Sequence, residues 1–177
     1  MAEVFVNSQT RAAGIVTTST GATIGVNTTT ITGVSTAGVA IGYMVDTQHL
    51  RGGAKVSAIG SGQVTVDKTS TNTASAASQT VRFMGPTTCY TSPSSTKSIL
   101  IGGTYANLTN NSVNMFVELK SGSTHTGIAN DIPVPTGSSF VISDAGKTVM
   151  AGDDEIRIYV DTDSAIDVTM GILQGVN

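Results

Sequence analysis

The sequence predicts an all-β protein: a small amino-terminal β module followed by a carboxyl-terminal antiparallel β-sandwich of jelly-roll-like form. Three observations carry that prediction. Apolar residues recur with period two rather than 3.6. Strand-length runs are punctuated by Gly, Asn, Asp and Ser clusters. The composition disfavours helices, with charged residues at only 12% against roughly 25% in an average globular protein. Glycine supplies 20 of 177 residues and Ser plus Thr about a quarter of the chain, a bias toward strands and turns.

The clearest stretch is the last, GDDEIRIYVDTDSAIDVTMGIL, residues 152–173. Ile156, Ile158 and Val160 alternate with Arg157 and Tyr159. Beyond the polar knot 161–164, Ile166, Val168, Met170 and Ile172 alternate with Asp167, Thr169 and Gly171. Successive side chains of a strand point to opposite faces, so this reads as two half-buried antiparallel strands joined by an Asp/Thr/Ser loop.

In chain order, residues 1–20 read as an amino-terminal arm with a short strand at 3–6 and then a polar drift. The small β module is expected over 21–84. Its strands are 22–26, 29–34, 42–45 and 80–84, with a hairpin from 54–59 into 63–66 around Gly60-Ser61-Gly62, where glycine supplies the positive φ of a tight reversal. Gly85-Pro86 and a Thr/Ser/Pro stretch including Pro93 mark a linker at 85–97, because proline removes a donor and restricts its predecessor. The sandwich is expected over 98–177, with strands at 99–108, 113–119, 140–142, around 149–150, and in the final pair. Pro133 and Pro135 confine 131–135 to a sheet edge.

Several function classes are disfavoured. A net charge of −3 and a pI near 5.1 leave no basic footprint for nucleic acid, for which a pI above about 9 is the usual sign. No apolar run approaches the roughly 18 residues of a membrane span, and the amino end MAEVFVNSQTR lacks the basic start and apolar middle of a secretion signal. Cys89 is the single cysteine, so no intrachain disulfide is available, and it reads as a small buried group.

Candidate chemistry is sparse. Gly146-Lys147-Thr148 matches the tail of a phosphate-binding loop, but Val141 stands where the motif needs glycine, so a turn at Asp144 and Gly146 is the better reading. Asp161, Asp163 and Asp167, near Asp153, Asp154 and Glu155, offer oxygen ligands for a hard cation. The EF-hand pattern fails at Ile166 and Ile172, however, and Asx turns account for the aspartates. His49 and His125 have no Cys or carboxylate at ligand spacing, and no Gly-x-Ser-x-Gly elbow exists. Asn27, Asn107 and Asn110 begin glycosylation-type triplets of the kind that arise by chance in a Thr-rich chain. No catalytic, cofactor or metal residue is assigned, and no cofactor is expected.

The run through Gly42, Met44, Val45, the Leu50-Arg51-Gly52-Gly53 turn, Lys55-Val56 to Ile59 and Gln63-Val64-Thr65-Val66 resembles a small β module of bacteriophage tail and capsid accessory proteins. Residues 97–174, with Pro-Val-Pro-Thr-Gly and Ala-Gly-Asp-Asp as their most specific pieces, resemble a compact β-sandwich found in head, neck and tail accessory proteins of tailed phages, cyanophages included. An acidic doublet, Asp153-Asp154, stands where a single Asp is commoner. The resemblance implies a non-enzymatic virion structural protein, a capsid decoration or a neck or tail accessory. Its implied partners are other virion proteins and copies of itself, with neither nucleic acid nor membrane, and its implied location is the virion. The rival expectation is a host-receptor or carbohydrate-binding module, which would draw on Tyr43, Tyr90, Tyr105 and Tyr159 for stacking in the absence of Trp.

Overall fold

The computed structural model describes residues 3–142 and 147–176. Among them every regular element is a strand, and the all-β sandwich architecture expected from the two-residue rhythm is present. The chain divides into two compact units, one comprising 1–14 with 87–177 and the other 15–86.

The first unit is the sandwich. Its sheet A has the order β1 (Val4–Ala13), β15 (Ile166–Val176), β9 (Lys97–Asn107), β12 (Ser139–Ile142), and β13 (Thr148–Met150) also pairs with β9. Sheet C has the order β11 (Thr124–Val134), β10 (Val113–Ser121), β14 (Glu155–Val160), β8 (Thr87–Thr91). All pairings are antiparallel. The inward residues of the two sheets meet in one core that includes Leu100, Tyr105, Met115, Val117, Ile156, Ile158, Ile166, Val168, Met170 and Ile172. Full burial of each such side chain contributes roughly 1.5–3 kcal/mol, and this burial, with no disulfide to help, holds the sheets together.

The second unit is a closed barrel of β2 (Ile15–Ile24), β3 (Thr30–Thr32), β6 (Gln63–Val66), β5 (Ala54–Gly60), β4 (Met44–Asp46) and β7 (Ala76–Gly85) in that spatial order. Its core holds Ile24, Ile31, Val45, Val56, Val64, Val66, Val81 and Phe83. The expected hairpin is β5–β6, where Gly60 pairs with Gln63 and Gly62 supplies the positive φ of 65°.

Three expectations are corrected. The stretch 1–20 is not an arm: residues 4–13 form β1, paired along its length with β15, and β2 begins at Ile15. Hydroxyls hold β1 in place of apolar residues, for Ser8 Oγ donates to the Cys89 carbonyl at 2.6 Å. Nor is 85–97 a linker. β7 runs to Gly85 and β8 covers Thr87–Thr91, anchored by buried Cys89 and Tyr90, while Ser92 and Ser98 are buried 2.8 Å apart. The sandwich therefore begins at β1 rather than at residue 98, and the small module spans 15–86 rather than 21–84, inserted between β1 and β8.

The third correction concerns the final pair of strands. β14 and β15 do not form a hairpin; they lie in different sheets. Both apolar faces point into the same core from opposite sides, and residues 161–165 carry the chain across. That crossing is pinned by Asp161, whose Oδ1 accepts from the Asn114 amide at 3.1 Å, and by Gly14, whose φ is +131°. A Cβ on Gly14 would run into the Thr162 carbonyl.

β11 is an edge strand, as Pro133 requires, and runs from Thr124. The turn expected at Asp144 and Gly146 lies outside the described residues; Thr148 opens β13.

Candidate functional site

Strand pairing builds an uncharged strip across the middle of the outward face of sheet A, with Glu3, Lys97, Arg11 and Asp167 at its margins. Along β15, Ile172 and Met170 are fully buried, so the intervening Leu173, Gly171 and Thr169 face away from the core. Register then assembles three rows across the sheet. Phe5 pairs with Leu173, Leu173 with Ile99, and Ile99 with Val149, an apolar row over four strands and about 14 Å at the usual strand spacing. Phe5 is 77% exposed and Val149 57%. Asn7, Gly171 and Gly102 form the next row. Gln9, Thr169, Thr104 and Val141 form the third, with Val141 exposed. No member of the three rows carries a charge, and the glycines keep the middle low.

Paired charged groups cluster on the outward face of sheet C. Glu118 lies opposite Arg157, and Lys120 opposite Glu155. Glu155 takes Lys120 Nζ at 2.6 Å, Arg157 at 2.8 Å and the Thr88 hydroxyl at 3.1 Å. Burial pushes the Glu155 carboxyl up, but the donors from Lys120, Arg157 and Thr88 outweigh it and hold the pKa at about 2. Buried Glu118 accepts from the Tyr159 hydroxyl at 2.7 Å and lies 2.9 Å from His125 Nδ1. Burial, followed by the neighbouring Glu118, raises the Tyr159 phenol, which stays a protonated donor. These groups bind one another across the strands as a charge-assisted clamp.

The residues singled out in the sequence fall in separate places. Asp154 Oδ2 accepts from the Ala151 amide at 2.8 Å, Asp167 Oδ1 from the Ala12 amide at 2.8 Å, and Asp161 from Asn114, so three of the acids cap backbone. Among the described residues no three of His, Cys, Asp and Glu converge as metal ligands would. His49 Nε2 lies 3.1 Å from Gln79 Oε1 in the barrel unit. Cys89 is buried, and burial lifts its thiol to about 11 against a lesser lowering by Thr10, which leaves it unreactive. Asn107 is buried and its amide donates to the Asn111 and Val134 carbonyls. An open cleft of about 680 Å³ in the barrel unit is lined by Arg51 and 68–71, but Lys68 Nζ there donates to the Gly52 carbonyl at 2.7 Å.

Sequence reasoning missed the uncharged strip, although a signal exists. SILIGG and MGILQ place apolar residues side by side where a half-wet strand should alternate, and Ile99 and Leu173 are the outward members of those runs. No family model matches the chain, and neither a curated protein nor a solved structure matches it.

Proposed function

We propose that this protein is a non-enzymatic structural component of a tailed-phage virion, a capsid decoration or a neck or tail accessory, that attaches through the outward face of sheet A. The uncharged strip carries this reading: three rows without a charge, with Phe5 and Val149 exposed at the two ends of one row. Those rows lose little on desolvation, because they hold no ion to strip of water, and they gain from every apolar contact. Repeated around a symmetric particle, many modest contacts sum to firm attachment. The resemblance of 97–174 to phage accessory sandwiches supports the same reading.

A sugar-binding role finds less support. Tyr90, Tyr105 and Tyr159 are buried and Tyr43 packs against the barrel core, so none presents an open ring for stacking.

The test is to incubate the purified protein with empty phage particles and, in parallel, with a glycan array. Binding to particles is expected. Val149→Asp, placed at an exposed site, should weaken that binding about tenfold, equivalent to roughly 1.4 kcal/mol of lost apolar burial. Binding to the array without binding to particles would overturn the proposal.

A further inference from the structure

The sandwich has four sheet edges, and three of them are blunted. β11 contains Pro133 and two register shifts against β10. β8 is five residues long with a shift against β14. The far edge of sheet A is split between β12 and β13, of four and three residues. Proline, bulges and brevity are how proteins discourage pairing with other chains. β1 is different. It is ten residues long, ends sheet A beyond β15, and keeps regular register from Val4 to Thr10.

The outward side chains of β1 are Phe5, Asn7, Gln9 and Arg11, and Glu3 stands just before it in the same parity; all five are exposed. Neither Glu3 nor Arg11 has an ion-pair partner among the described residues. The two charges are opposite in sign and equidistant from Asn7. A strand with that symmetry complements itself. If a second copy lies antiparallel along β1 with Asn7 opposite Asn7, Glu3 faces Arg11 of the second copy at both ends, and Phe5 faces Gln9 of the second copy. Opposite charges directly across an antiparallel pair are favourable, and like charges there are not.

We infer that β1 is a self-recognition edge: two copies of this chain pair their β1 strands antiparallel about Asn7, joining two sheets A into one continuous sheet. The interface is isologous, with the same strand contributed by each copy, and backbone hydrogen bonds provide the adhesion while Glu3 and Arg11 set the register. Pairing stops at Arg11, which with Ala12 lies in the bulge between Thr10 and Ala13, and the positive φ of Ala12 turns the strand there. The outward face then doubles in width without acquiring a net charge. This inference rests on the β1 edge itself and not on the virion role.

Sedimentation equilibrium of the full chain over a concentration series tests it. The expected mass is twice 18.0 kDa. Arg11→Glu, which sets Glu against Glu at both ends, should shift the chain to a folded monomer whose melting, unlike that of the parent, no longer rises with concentration. Adding Glu3→Arg to that variant should restore the dimer. Under mild oxidation Asn7→Cys should form an intermolecular disulfide, whereas Gln9→Cys should not, because the two Gln9 positions lie about 13 Å apart along the strands. Buried Cys89 keeps the unmodified chain silent in that assay. A wild-type monomer at every concentration, a dimer indifferent to Arg11→Glu, or cross-linking at position 9 in place of 7 would each overturn the inference. Particle attachment is read separately through Val149, on the opposite edge, so either idea can fail while the other stands.

Discussion

The barrel and the sandwich solve the same problem in different ways. Both bury one face of their strands. The barrel closes β2 onto β7 and so has no edge, whereas the sandwich leaves four. Closure spends every backbone group inside the unit. An open sandwich keeps some in reserve, and here the reserve is concentrated at β1, beside the apolar row. The difference shows where strand-mediated assembly can arise in this chain: in the residues flanking the insertion, not in the insertion.

The largest expected effect that separates the two units is Ile158→Asp. Ile158 is fully buried in the sandwich core, and an unpaired carboxylate there should cost roughly 4–5 kcal/mol. Amide exchange should show the sandwich unprotected while barrel amides such as those of Val64 and Phe83 keep their protection; loss of protection in both units would mean that they unfold as one.

A smaller effect comes from acid. Glu155 belongs to the sandwich and its carboxyl is lowered from 4.5 to about 2 in the folded chain. It therefore contributes stability that is fully present above pH 4.5 and fades as pH falls through that interval to about 2. Sandwich melting should decline over that range, and Glu155→Gln should flatten the decline while leaving the barrel transition where it was. An unchanged slope in the variant would assign the acid sensitivity to other groups.

The smallest effect is expected from removing the barrel altogether. Gly14 N and Thr87 Oγ1, which flank the insertion within the sandwich, lie 3.4 Å apart, and Ile15 pairs with Gly85 at the barrel's own ends. Replacing 15–86 by a short Gly-Ser link should leave a folded sandwich melting within a few degrees of the parent by calorimetry, as expected when the altered contacts are worth about 1 kcal/mol or less. A molten product would show that the sandwich draws support from the insertion.

How much of this was legible follows from what alternation reports. Ile156 to Val160 and Ile166 to Ile172 announce a buried face because every second side chain enters the core, and the structure places them there. Alternation says which face is buried, not which sheet holds the strand, and so β14 and β15 read as a hairpin although a core lies between them. β1 hid its role because Ser8 and Thr10 replace apolar residues on its inward side. β8 hid behind Pro86 and Pro93, whose turn chemistry outweighed two core residues, Cys89 and Tyr90. The amino half of β11, THTGIAND, is exposed on both faces at its tip, so no pattern was imposed on it. Of the candidate site, the runs at 99–101 and 171–173 were visible as breaks in the rhythm. Their alignment with Phe5 and Val149 depends on register, which arises only when distant strands meet.

The position of β15 has a consequence for how the chain is made. It is the last strand of this sequence, yet it sits inside sheet A, between the first strand and β9. On a ribosome the barrel, whose pairings all fall within 15–86, can be complete while the sandwich is still waiting. β1 must remain without β15 until residues 166–176 emerge, and a pairing that joins Val4 to Gln174 is the kind of distant contact that forms slowly. Synthesis therefore leaves β1 with both backbone edges unpaired until β15 arrives, and neighbouring ribosomes on one message would bring several such strands together in the meantime.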